Sequence, residues 1–416
     1  MAQHRPAGEK PRGTVPGDRP RPHRRRTSAF ALAALAAPMS FGITGPALVL
    51  GDIAGDLGVS VPAAASVVTA FGWGIAVGTP TMGALLSRRG LRAALIVCSL
   101  LIAAGTALVL TVAVLPALVL GSGLQALGSA GMVVVAMSLA ESARDMGTVT
   151  ASLAGLGAVA PLIGTQVSSA LSWPAVLAMS ALSLIAVPAV LRGARHRPPV
   201  EEPTAGRFDA VGAVLLVAVV TALVAVPKQP LLAGGGALAT AALLALHMRR
   251  RPHGFLPAVV LTSRRFLLSA GIAFLLAVAN FGIVYAAPER LGELTGWTDG
   301  PLGIAIGVPY LVGGVVSWTL VARSGRLTHP VLATVLTGAA VIAVTAVTLG
   351  SSVVPLLFAG MVTGSLAAST GQGALALHAA AAVPEPQRVS AMGLFNLCYL
   401  LGAAFGPALA ALAVSG

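Results

Sequence analysis

Residues 64–113 read AASVVTAFGWGIAVGTPTMGALLSRRGLRAALIVCSLLIAAGTALVLTVA. Two apolar runs, 64–86 and 93–113, flank a short basic break, Ser87-Arg88-Arg89-Gly90-Leu91-Arg92. Each run has the roughly 20 apolar residues that a helix needs to cross a bilayer, where the backbone must satisfy its own hydrogen bonds. The break is too charged to lie in lipid. The stretch therefore reads as a helical hairpin that crosses a membrane twice and turns on arginine at one face.

The rest of the chain is built the same way. Of 416 residues, 56% are hydrophobic and only 9% charged, with a mean hydropathy of +0.90. A soluble domain carries about 25% charged residues, and a disordered chain needs low hydrophobicity with high charge. Both are excluded, which leaves an all-α, polytopic membrane protein. Spans are expected near 29–51, 64–86, 93–113, 115–139, 149–171, 174–192, 210–227, 231–248, 266–287, 301–322, 330–350, 353–380 and 390–414, thirteen in all. Cys98 and Cys398 fall inside apolar runs and read as small core hydrophobes.

Arginine gives the orientation, because basic loops stay cytoplasmic. Residues 1–27 form a proline- and arginine-rich segment of net charge +6, read as a disordered cytoplasmic tail held near anionic lipid. Arg25-Arg26-Thr27-Ser28-Ala29-Phe30 loosely resembles a twin-arginine export signal. The apolar run behind it continues to about residue 51, past the 7–15 residues of a signal core. With the tail inside, the outer loops carry only Lys228 and Arg290, and 24 of the 26 basic residues face the cytoplasm. The net charge of +13 thus records topology and calls for no nucleic acid.

The chain also repeats itself. Gly83-Ala-Leu-Leu-Ser-Arg-Arg-Gly-Leu-Arg after the second span is echoed by Trp318-Thr-Leu-Val-Ala-Arg-Ser-Gly-Arg-Leu after the tenth. Ser122-Gly-Leu-Gln125 is echoed by Ser369-Thr-Gly-Gln372, and Ala160-Pro161 by Gly406-Pro407. Spans 1–6 therefore match span 9 onward, with spans 7 and 8 inserted between. The expected organisation is a first bundle over 28–195, an inserted pair with linkers over 196–262 and a second bundle over 263–416. Parallel six-helix repeats around a midplane site are the architecture of secondary transporters.

On these residues the sequence resembles the major facilitator superfamily, and within it the fourteen-helix drug:proton antiporter branch. Gly83-x3-Ser87-Arg88-Arg89-Gly90-x-Arg92 resembles the signature loop between helices 2 and 3. Pro161-x-x-Gly164 resembles the antiporter motif of helix 5, and Gly206-Arg207-Phe208-Asp209-Ala210-Val211-Gly212 the opening of the inserted pair. The resemblance implies rocking of two halves around a fixed site. Gly83, Arg88, Arg89, Gly90, Arg92, Pro161, Gly164, Gly406 and Pro407 would be the conformational elements. Three departures stand out: Ser87 replaces the usual loop aspartate, Ser122 the usual membrane arginine, and Gly42 stands near the place of an aspartate early in helix 1. A fourteenth helix is expected to be missing after Gly416.

A charge at mid-depth is costly and normally marks function. Here all thirteen acids lie in the tail, in loops or at span ends. Asp52, Glu141 and His378 are the proton-coupling candidates, each with the alternative of a charge that only fixes a helix end. Arg88, Arg89 and Arg92 either bind neighbouring helix ends, with Glu141 and Asp145 as partners, or only enforce topology. Trp73, Gln125, Asn280, Tyr310, Gln372, Asn396 and Tyr399 are the candidate cavity residues. An amide in lipid must face another helix or a wet cavity, so helix–helix bonding is the competing reading. Such a cavity, apolar and aromatic with amides but no fixed charge, suits an uncharged or amphiphilic organic molecule.

The expected function is proton-driven efflux of a small hydrophobic or amphiphilic compound, such as an antibiotic. A monomer in the plasma membrane would carry it out, with lipid, protons and the cargo as its only partners. An importer, an uncoupled facilitator or a transport-inactive sensor remain alternatives. No nucleotide-binding loop, metal cluster or nucleophile constellation appears, so no cofactor, metal or catalytic residue is expected.

Overall fold

The structure, a computed structural model, describes residues 27–194, 209–226, 229–251, 258–297, 299–350 and 352–415. The basic tail before residue 27, Gly206-Arg207-Phe208, Lys228 and the side chain of Pro407 lie outside the described residues. Helix is the only regular structure among the described residues. Among the described residues, ten helices are long and apolar enough to cross a membrane. One of them is two spans in a single run, and Ala29–Thr44 and Ala210–Ala225 are shorter apolar helices. Together they account for thirteen spans, labelled α1 to α13.

The opening segment α1, 29–57, is a broken helix: Ala29–Ala36, Met39–Thr44, a 3-10 turn Gly45–Leu48, and Leu50–Leu57. Pro38 and Pro46 fall at the breaks, where a missing N–H and a ring clash end the regular helix. Ser66–Thr111 is one helical run interrupted at Gly90, where φ is 77° and ψ is 177°. That region is essentially closed to residues with a Cβ. It divides α2 (66–89) from α3 (91–111).

The arms lie on α4 (Leu115–Leu139) in opposite senses. Along α4, Gly123, Leu127 and Val134 meet Gly74, Gly78 and Gly83 in ascending order, whereas Gly121, Gly128 and Gly131 meet Val109, Ile102 and Cys98 in descending order. The chain therefore reverses at Gly90, and the "loop" of the sequence reading is a single residue wide. Glycines make the approach this close: a Cβ on Gly128 would stand 2.5 Å from the Cys98 carbonyl oxygen.

Next come α5 (Ala143–Ala170), opened by a capping box between Ser142 and Asp145, and α6. The latter is built from Trp173–Ala178, a 3-10 turn Met179–Leu182 and Ser183–Ala194. The inserted pair is α7 (Ala210–Ala225) and α8 (Pro230–Arg250). The second half is α9 (Arg264–Thr295), α10 (Asp299–Ser324), α11 (His329–Leu349), α12 (Val354–Ala381) and α13 (Arg388–Ser415).

The most extensive contacts between the halves are α5 with α10 and α2 with α13, and α5 also meets α12 and α4 meets α13. Under the internal repeat α2 corresponds to α10 and α5 to α13, so exchanging the halves turns one contact into the other. Within each half the same helices meet again. A Cβ on Gly164 of α5 would be 2.6 Å from the Gly45 oxygen of α1, and one on Gly406 of α13 would be 2.6 Å from the Val278 oxygen of α9.

The inserted pair docks through α7, which touches α2 and α13, the seam between the halves. Asp209 is buried, accepts the Gly212 amide at 3.0 Å as the N-cap of α7, and meets His247 Nε2 of α8 at 2.8 Å. Leu231, Leu232 and Leu238 of α8 are largely exposed, as a lipid-facing helix requires.

Candidate functional site

A cavity of about 190 Å³ lies between the halves at mid-depth. One wall is α1 and α5, with Met39, Ser40, Ile43, Thr44, Leu153, Ala154 and Pro161. The other is α9, α10, α12 and α13, with Asn280, Phe281, Tyr310, Ser369, Gln372 and Tyr399. No side chain lining it carries a charge. The Phe281 and Tyr399 rings pack edge to face, with centroids 6.5 Å apart.

The polar residues of the two walls differ in what is left for a ligand. On the α1–α5 wall, Ser40 Oγ donates to the Leu153 oxygen at 2.8 Å and Thr44 Oγ1 to the Gly157 oxygen at 2.9 Å. Both hydroxyls are spent on backbone carbonyls, and they fasten the broken α1 to α5. On the opposite wall, Asn280 Oδ1 and the Tyr310 hydroxyl are buried with no partner. Gln372 Nε2 donates to Asn396 Oδ1 at 3.2 Å, and Asn396 Nδ2 is left without an acceptor. A buried polar atom without a partner costs about 1–3 kcal/mol, so such atoms call for a ligand, a water or another conformation.

Four of the seven expected cavity residues, Asn280, Tyr310, Gln372 and Tyr399, are brought together here, with Asn396 directly behind Gln372. The other two are elsewhere. Trp73 Nε1 donates to Thr221 Oγ1 of the inserted α7 at 2.8 Å, and Gln125 Nε2 to Thr106 Oγ1 of α3 at 2.9 Å. In both, the N–H finds its acceptor in a hydroxyl on a neighbouring helix.

Between the cavity and the end that bears the arginine loops, the halves are in contact. Trp318 Nε1 of α10 donates to Thr148 Oγ1 of α5 at 3.0 Å, and the Arg144 guanidinium lies 5.7 Å from the Trp318 ring centroid. A Cβ on Gly147 would be 3.1 Å from the Trp318 oxygen. Gly83 of α2 faces Gly393 of α13 across the other seam, 3.8 Å from where its Cβ would be. The reading of the sequence missed Trp318 and Thr148 as a pair. An indole just before Arg323 at the end of a span was the available signal.

The remaining candidates, Pro161 apart, stand away from the cavity. Ser87, in the place of the usual aspartate, donates to the Ala84 oxygen of its own helix at 3.0 Å. Arg88 is half-buried, and Arg89 and Arg92 are exposed. Asp145 turns inward to its capping box, where its Oδ2 accepts from the Ser142 amide and hydroxyl. Gly42 has no room for an aspartate, because the Phe71 ring occupies the position of a Cβ there.

Asp52 is exposed at the end opposite the arginines and accepts from Ser168 Oγ at 3.1 Å. Glu141 is exposed at the basic end. His378 lies edge-on to His329, with centroids 5.5 Å apart, and His329 Nε2 is 2.9 Å from Ser269 Oγ. Pro161 lines the cavity inside an uninterrupted α5, and α13 is likewise one helix through Pro407.

The sequence model of the Major Facilitator Superfamily matches residues 30–407. No protein of curated function matches the chain by sequence. Among solved structures, the human organic anion transporter MFSD10 (TETRAN) is similar at 18% identity and a TM-score of 0.62, over 94% of this chain and 93% of that one. The POT family transporter PepTSo is similar at 15% identity and a TM-score of 0.58, over 95% and 91%. These likenesses carry the fold alone. With the matched span running through both halves and the inserted pair, the chain belongs to the major facilitator superfamily.

Proposed function

We propose that this transporter exports small, uncharged or amphiphilic organic compounds, such as an antibiotic or secondary metabolite, driven by protons. The observation that carries the reading is the mid-depth cavity between the halves, lined without a single charged side chain. A sugar needs many polar contacts and an ion needs a countercharge, and this lining offers neither in quantity. The division into bundles at 28–195 and 263–416 with an inserted pair over 196–262 belongs to the same reading. So do a plasma-membrane monomer with its N-terminus in the cytoplasm, and cargo, protons and lipid as its partners.

The cavity, at about 190 Å³, is smaller than the roughly 300–1,000 Å³ of sites for drug-sized ligands. Cargo therefore enters a state in which the α5–α10 and α2–α13 seams have opened. Resemblance of Pro161-x-x-Gly164 to the antiporter motif favours export. Asp52, Glu141 and His378 stand outside the lining, so in this reading protons act at the ends of the halves and bias their rocking without touching cargo.

Expression in a pump-deficient bacterial host tests it. Tolerance to at least one neutral amphiphilic antibiotic should rise, and a proton ionophore should restore its accumulation. Unchanged susceptibility across such a panel, with accumulation indifferent to the ionophore, removes the proposal.

A further inference from the structure

The amide and phenol groups of the cavity all lie on one wall, among apolar Phe281, Val284, Ile306 and Leu400, and the division follows the two halves. From the first half come Met39, Ile43, Leu153 and Ala154, with the Ser40 and Thr44 hydroxyls already donated to backbone oxygens. The second half brings Asn280 and Tyr310, whose Oδ1 and hydroxyl have no partner, and Gln372, whose amide is braced by Asn396. Asn280 and Tyr310 are each more than nine-tenths buried. Both side chains line the cavity, and their two unpartnered atoms lie covered just behind its surface. The terminal torsion of an asparagine is broad and costs little to turn, so its carboxamide can be brought to a bound molecule.

We infer that the cavity recognises a single-headed amphiphile: an uncharged head group bearing both a hydrogen-bond donor and an acceptor is held by Asn280, Tyr310 and Gln372, and an apolar body lies against α1 and α5. The inference rests on reading the cavity as the cargo site. The Asn280 oxygen takes the donor of the head group, an amide N–H or an alcohol O–H, and the Tyr310 hydroxyl bonds its oxygen. A net charge on the head would enter a lining with no countercharge, at a desolvation cost the site does not offset. Because all the head-group contacts sit on one half, the ligand stays with that half as the halves part, and only its apolar body is released from α1 and α5.

The test is binding of tritiated chloramphenicol, a neutral amide-alcohol with an aromatic body, to the purified full-length chain. Tetraphenylphosphonium and anilinonaphthalene sulfonate serve as charged competitors. Chloramphenicol should bind and neither ion should displace it. Asn280→Ala and Tyr310→Phe should each weaken it about tenfold. Asn280→Asp, equal in shape, should make tetraphenylphosphonium a competitor. Displacement by either ion in the wild type, or unaltered chloramphenicol affinity in monodisperse Asn280→Ala and Tyr310→Phe, overturns the inference. Binding with this pattern but without uptake into vesicles leaves it standing and defeats the transport reading instead. Binding of none of the three overturns both.

Discussion

A carboxamide moved from water into a helix bundle must replace the hydrogen bonds it gives up, and this chain shows two ways of doing so. Gln125 gives its N–H to Thr106 of the adjacent helix, wholly within the first half. Its counterpart in the repeat, Gln372, gives its N–H to Asn396 and borders the cavity. Corresponding motifs, alike in their Ser and Gln, thus serve packing in one half and border the cavity in the other. Gln125→Ala should lower the thermal midpoint, since it orphans the Thr106 hydroxyl at a cost of about 1–2 kcal/mol, and leave cargo preference as it was. Gln372→Ala should do the reverse, altering the ranking of transported compounds with a smaller loss of stability. Melting curves and transport measured on the same two variants check this, and an exchange of the two phenotypes contradicts it.

The same pair shows where a sequence stops being informative. That a mid-depth amide has a partner follows from elementary solvation, but its direction does not. On α4, Ser122, Gln125 and Ser129 share one face by their helical spacing, but spacing alone does not say which neighbouring helix that face meets. Trp73 is a similar case. Its indole N–H found Thr221 on an inserted helix, a contact that spans 148 positions of sequence.

At the scale of elements, spans were legible because bilayer thickness sets their length and arginine their ends. Breaks within spans were legible only in part. Pro38 and Pro46 divide α1, whereas Pro161 sits in an uninterrupted α5. The difference lies in what surrounds each proline: α1 is held by Ser40 and Thr44 on α5, which lets its own backbone depart from regular helix.

The element contact with most consequence is the one between α5 and α10 at the basic end. The Trp318 indole donates to Thr148, and a bond of this kind contributes about 1 kcal/mol. Trp318→Phe keeps the ring under Arg144 and removes only the N–H. It should shift the ratio of open to closed basic ends about fivefold, and Thr148→Val should match it, with little further effect in the double variant. A cysteine at buried Thr150, in a background without Cys98 and Cys398, reports opening through its labelling rate. An unchanged rate would show that this pair does not hold the seam.

At the scale of the whole molecule, charge and hydropathy fall into separate layers. Arginine gathers at one end, lipid-facing leucine covers the sides, and the midplane between the halves holds uncharged polar groups. The repeat makes the two seams, α5 with α10 and α2 with α13, equivalent, so a rocking motion opens both together. The inserted α7 rests across α2 and α13, and it must follow or resist that motion. Orientation and the repeat could be read from arginine spacing and from paired motifs. The polarity of the cavity walls could not, because it depends on which hydroxyls the backbone has already claimed.

The most direct test of the account is uptake of a neutral amphiphile into proteoliposomes under an imposed pH gradient. With an acidic lumen, outward proton flow should drive chloramphenicol to accumulate above its external concentration. The accumulated compound should leave when an ionophore collapses the gradient, and Asn280→Ala should reduce the uptake. Equilibration to the external concentration at the same rate with and without the gradient, or no uptake beyond that of empty liposomes, would contradict it.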